Sequence, residues 1–537
     1  MNVTNIYIIE ALLLSFICTD AVGQSDDRYM VFLRDKGGVS ADDVSPASYL
    51  SPRALQRRAA QGIDIDSLDV PVYAEYVEEI SAYARIIGKT KWMNAVMVAT
   101  GQGDDAIESI ERLPFVTGIQ LVGHYTPETP ADVKADMSIT YPDVDDYHGV
   151  MRQPLECNAI DRLHDDGFTG EGMLIAMTDD GYCNVDSMLG GWADNIVCVR
   201  DFVNAADSLL YDIGSHGVRT FSCIAADMPH KMVGSAPGAS YALLRTEYLG
   251  GEQPAEEYYW AFAAEFADSI GADIINVSLG YNHFDEEFPS ITTDDLDGRC
   301  VISRCADVAA GRGMVVVVSA GNTGNSTWRK VTIPADAFDV LAVGGLAAGS
   351  VVVKATFSSV GPSADGRVKP DVMAAGSFSA VTRSGTISPA SGTSFSAPVI
   401  AGGVACLWEA LPGKTASEIV DIVRRSSTQY SEPDSLLGYG VPDLYKAYID
   451  NRESGIVSSP QADLVRAEGQ YLIIPSQFLS DDSARVMLYD LGGRLILSSQ
   501  VGESCAVPLY AVPVGLYVVG IVSRNFSCRN ILFYDGC

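Results

Sequence analysis

The chain has 537 residues, 47% of them hydrophobic and 20% charged, which excludes a disordered or fibrous protein and leaves room for roughly three to four domains. Its 69 acidic against 36 basic residues give a formal charge of −33. A surface of that sign repels phosphate backbones, so nucleic acid is excluded as a partner.

Residues 1–23 hold an apolar run at 11–18 and close on Ala21-Val22-Gly23, the pattern of a secretory signal. Glu10 and the lack of any Lys or Arg before it depart from that pattern. No later apolar run is long enough to cross a bilayer as a lone helix. Of eleven cysteines only Cys18 lies in this segment. The spacing of the rest lacks the paired Cys and His of a zinc site, and in an exported chain it permits disulfides. Cys183–Cys198 and Cys300–Cys305 are the expected bridges, with Cys223 and Cys406 as buried thiols.

Residues 24–148 read as a small α+β domain and a linker. Strands are expected at 28–33, 94–99 and 115–122, a capped helix at 51–58 and a second helix at 104–113. The stretch 126–148, rich in Pro, Asp and Tyr, reads as the linker, where a cut is easiest.

From 149 to 452 short apolar runs alternate with helical patterns. Strands are expected at 173–177, 240–244, 273–278, 314–318 and 340–343, with helices at 216–226, 255–271 and 303–311. A buried helix follows Gly392 and ends before Pro412. Continuous apolar strands separated by helices predict an α/β fold, a parallel sheet with helices on both faces. Active groups in such folds gather at the carboxyl ends of strands. Residues 456–537 carry a hairpin at 485–497 and a strand at 515–522, the pattern of a small β-sandwich, and contain no His.

Four residues in the central domain make one chemical set. Ser394, in Gly392-Thr393-Ser394-Phe395-Ser396-Ala397-Pro398, stands at a helix N-terminus, whose unpaired N–H groups and dipole favour a developing anion. Asp179 ends an apolar strand before Asp180-Gly181. His216 opens a helix in Gly214-Ser215-His216-Gly217, and Asn322 closes Ser319-Ala320-Gly321-Asn322. Singly each is an ordinary cap, turn former or structural residue. Together they supply a nucleophile, a base, a carboxylate to orient the base and an amide donor.

In these motifs and in the order Asp, His, Asn, Ser, the chain resembles the subtilisin-like serine proteases, the subtilases. The resemblance implies that Ser394 attacks a peptide carbonyl, His216 takes and returns the proton, Asp179 orients His216, and Asn322 receives the oxyanion. It also implies that Ser278-Leu279-Gly280 pairs with an extended substrate, with Ala320-Gly321 opposite. Val218 and Arg219 depart from the Thr and His usual after His-Gly. Asp180 stands where Thr or Ser is common, and it is expected to face solvent; turned inward it would raise the pKa of His216.

Residues 28–125 resemble propeptides of secreted subtilases of the Bacteroidetes type, in Ser51-Pro52-Arg53-Ala54-Leu55, Arg57-Arg58 and Lys91-Trp92-Met93-Asn94-Ala95. The last unit resembles a type IX secretion sorting domain, in Tyr489-Asp490, Gly493-Arg494 and Gly515-Leu516-Tyr517. These likenesses imply a secreted or cell-surface enzyme whose partners are peptide or protein substrates, its own propeptide as inhibitor and a secretion machinery. No cofactor is required, no metal ligand is assigned, and calcium is an optional ligand that the family often binds. The competing reading is a catalytically silent subtilase fold kept as a binding or adhesion module. An α/β-hydrolase esterase would need Gly-x-Ser-x-Gly and the order Ser, Asp, His, which is reversed here.

Overall fold

In the computed structural model the described residues are 25–101, 105–129, 137–138, 141–189, 193–204, 210–349 and 352–452, with 466–468, 471–473, 485–489, 495–501, 506–510, 512–523 and 526–534 beyond them. The expected export signal, residues 1–23, lies outside this set. The chain forms two units that meet between Arg452 and Glu453.

Seven parallel strands make the central sheet: β1 (Leu174–Asp179), β2 (Ile196–Asp201), β3 (Ser240–Arg245), β4 (Ile274–Val277), β5 (Val315–Ser319), β6 (Leu341–Leu346) and β7 (Val372–Ala375), in the order β7-β6-β5-β4-β1-β3-β2. Alternate residues of each strand enter opposite cores, which is why the runs are apolar throughout. Ile175, Met177, Val315 and Val317 pack under α1 (His216–Ala225) and α4 (Thr393–Ala410). Ala176, Val316 and Val318 pack under α2 (Ala255–Ile270) and α3 (Val301–Gly311). The expected fold class is the one observed.

The N-terminal region forms a four-stranded antiparallel sheet in the order Arg85–Thr90, Ala95–Thr100, Asp26–Leu33, Val116–Tyr125. One face covers its own helices through Val31, Val96, Val98 and Ile110. The other sends Met30, Met97 and Val122 against Tyr258, Tyr259 and Phe262 of α2. Charge pins the same contact: Arg57 pairs with Asp268 at 2.6 Å, and Arg58 with both Asp69 and Asp268, all of them buried. Glu265 accepts the N–H groups of Lys91 and Trp92.

Neither expected disulfide forms. Cys183 packs in the core under α1, whereas Cys198 on β2 packs in the core across the sheet. Cys300 precedes α3 and Cys305 lies inside it, so their side chains leave the helix in different directions. Cys223 and Cys406 are buried thiols, as expected. In the C-terminal unit two antiparallel sheets, of three and four strands, close on Leu472, Val486, Leu488, Val507 and Val519, the sandwich that the sequence predicts.

Candidate active site

β1 ends on Asp179, which is only 2% exposed. Its Oδ1 faces His216 Nδ1 at 2.7 Å and also accepts the N–H of Asp180; its Oδ2 accepts the Thr220 hydroxyl at 2.8 Å. His216 and Thr220 stand one turn apart on α1, so both meet the same carboxylate. The close approach of α1 to β1 needs Gly217, where a Cβ would lie 2.2 Å from the Gly181 carbonyl oxygen. With Nδ1–H held by Asp179, the imidazole lone pair is on Nε2.

Asp180 corrects the expectation that it faces solvent. Its carboxylate accepts the N–H groups of Ser215, His216 and Gly217 and so caps α1. Those are donors that a helix start leaves unpaired. Burial opposes the imidazolium, but the Asp179 and Asp180 carboxylates outweigh it and hold the His216 pKa up at about 9.

Ser394 lies in the first turn of α4. Pro398, four residues on, has no N–H, so the Ser394 carbonyl loses its helical partner. The Ser278 hydroxyl supplies the missing donor at 2.9 Å, and Asn276 Nδ2 donates to that hydroxyl in turn. The backbone of Ser394 is therefore fixed from β4. Asn322 Oδ1 accepts the N–H and the hydroxyl of Thr393, which leaves its Nδ2 hydrogens for another acceptor. Asp179, His216, Asn322 and Ser394 line one cleft of about 510 Å³, and the His216 ring lies 5.9 Å from that of Phe395.

The model of a family described as the subtilase family matches residues 170–440. The chain belongs to the subtilase family. A second model, the peptidase S8 propeptide domain of Bacteroidota, matches residues 28–136 of this subtilase. Subtilisin NAT of Bacillus subtilis subsp. natto is 29% identical over 306 residues, covering 55% of this chain and 72% of its own. Subtilisin of Bacillus pumilus is 30% identical over 271 residues, covering 50% and 87%. Among solved structures, MycP1 with its N-terminal propeptide removed aligns at 23% identity and a TM-score of 0.43, covering 57% of this chain and 98% of that one.

Of the residues expected to pair with substrate, Ser278, Leu279, Gly280 and Gly321 line this cleft. Ala320 does not: its methyl is fully buried in the core, and its backbone bonds to Val343 and Thr332. Sequence reasoning missed Thr220, whose spacing of four from His216 was the available signal. It also missed Glu247, Glu252 and Glu256 on the cleft wall. The linker is not free of the site either. Thr126 N–H donates to the Tyr248 hydroxyl, and Glu128 accepts from Leu249 N and pairs with the buried Arg245. Among the described residues no group of three or more His, Cys, Asp or Glu could hold a metal ion.

Proposed function

We propose that this subtilase is a secreted serine endopeptidase. The observation that carries the reading is the bond at 2.7 Å between the buried Asp179 carboxylate and His216, opening on the same cleft as Ser394 and the uncommitted amide of Asn322. Nε2 of His216 takes the Ser394 proton as Oγ attacks the peptide carbonyl, then returns it to the leaving amine. The acyl-enzyme is opened by water through the same proton path. Asn322 Nδ2 and the N–H groups at the start of α4 receive the oxyanion.

The reading requires no cofactor. Calcium stands as a stabilising ligand to be tested by melting with and without a chelator. The region 24–148 is the propeptide and linker, acting as intramolecular inhibitor; contacts of 126–128 with Tyr248 and Leu249, both on the cleft wall, support this. Residues 1–23 and the unit from 456 onward serve export, the latter as a sorting domain read by a type IX machinery.

A fluorophosphonate probe tests the reading. The processed protein is expected to label and Ser394→Ala not to. Asn322→Ala should retain labelling and lose about a hundredfold to a thousandfold in kcat, the scale of one oxyanion donor in a subtilisin-type site. A processed wild type that neither labels nor cuts casein would favour the silent binding module.

A further inference from the structure

The cleft carries charge that the reaction does not use. Glu247, Glu252 and Glu256 line its wall next to Asp179, Asp180 and His216. Glu256 is 1% exposed, and its two oxygens accept the N–H groups of Tyr248 and Gln253 at 2.9 Å each. Glu247 accepts the Tyr281 hydroxyl at 2.7 Å. Glu252 stands at the exposed edge. Among the described residues no Lys or Arg pairs with any of the three, although His283 faces Glu252; burial first, then the neighbouring carboxyl groups, push Glu256 up and Glu247 up to about 8, so that both hold protons which a cation beside them would release. Carboxylates held in place beside one another without a cation form a site short of positive charge.

A separate observation points to a ligand for this cleft. Thr332, 4% exposed, lines it, and the buried Thr332 Oγ1 has no hydrogen-bond partner. That hydroxyl stands behind the two glycine edges of the cleft. A Cβ on Gly280 would approach it to 2.4 Å and one on Gly321 to 2.9 Å.

We propose that Glu247, Glu252 and Glu256 form a specificity subsite for a Lys or Arg side chain of the peptide substrate. This rests on the protease reading above and deepens it. The three carboxylates are spread along a wall and do not converge on a point, and both oxygens of Glu256 are already engaged. Such a wall suits a long organic cation better than a compact metal ion. The propeptide segment at 126–129, Thr-Pro-Glu-Thr, has no basic side chain, so it lies against this wall without neutralising it.

The test is a library of internally quenched peptides that differ only in Lys, Arg, Gln or norleucine at each position before the cut, read on the processed wild-type enzyme. At one position Lys or Arg is expected to exceed norleucine in kcat/KM by about tenfold or more, a ratio that falls as salt rises. Glu247→Gln and Glu252→Gln should each pull the ratio toward one, and Glu247→Lys should invert it in favour of Glu peptides. Glu256→Gln is a less secure probe because the residue is buried, so the exposed Glu252 and half-buried Glu247 decide. Cleavage of the neutral peptides with no basic preference at any position overturns the subsite, as does a preference that survives both Gln substitutions. Failure of fluorophosphonate labelling together with loss of all cleavage instead overturns the protease reading.

Discussion

His216 is where the chemistry is most exposed to measurement. General-base action needs the neutral imidazole, and two carboxylates hold its pKa near 9. The log of kcat/KM should therefore climb with pH until about 9 and then level. Asp180→Asn removes one of the two charges while keeping a cap acceptor, so the midpoint should move down. The sign for stability is opposite. A pKa raised from 6.5 favours the folded state fully below pH 6.5, and that contribution disappears as pH rises through about 9. Thr220 is a positioning residue: its hydroxyl bonds the carboxylate that orients the base and the Gly217 carbonyl of its own helix. Thr220→Val should lower kcat about tenfold with KM little changed, and Thr220→Ser should restore it. The four candidate side chains of the cleft were legible because short motifs carry them. The inward turn of Asp180 was not, since it depends on Gly214, at φ +76°, folding the next three N–H groups back over the carboxylate.

At the scale of elements, what the sequence made plain was whatever both faces of the sheet bury. β1, β3, β4, β5 and β6 are mostly apolar and buried along nearly their whole length, and were expected within a few residues of where they lie. The edge strand β2, half-exposed with Arg200 and Asp201 in it, was missed. So was Arg85–Thr90, which carries Gly88 and Lys89. Gly88 gives up local propensity for a long-range contact, because a Cβ there would fall 2.5 Å from the Phe262 ring of α2. The helix Pro52–Ala60 was legible as a helix, but not as the source of the interface: Arg57 and Arg58 are basic residues that end fully buried against Asp268. Breaking a buried pair leaves a charge without its partner. In a full chain kept intact by Ser394→Ala, adding Arg57→Ala should lower the unfolding free energy by about 3 kcal/mol in a urea titration.

For the whole molecule the two pictures differ most at the join between N-terminal domain and sheet. Residues read in order, a small domain, a linker and a large domain, suggest beads on a string. The described residues up to Arg452 instead make one compact unit, in which a sheet of the first domain covers helix α2 of the second. Length and composition could not reveal this, because Tyr258, Tyr259 and Phe262 look like any helix core until their neighbours are known. That covered face has a temporal consequence. Hydrolysis of a bond in the linker severs a covalent connection but none of the apolar or ionic contacts that hold the two halves together. On the inhibitor reading proposed above, a freshly clipped molecule is expected to stay blocked until its cover drifts off or is digested by a neighbour already active. Onset in a fresh batch should thus be slow at first and then self-accelerating, and a trace of active enzyme added at the start should erase the delay.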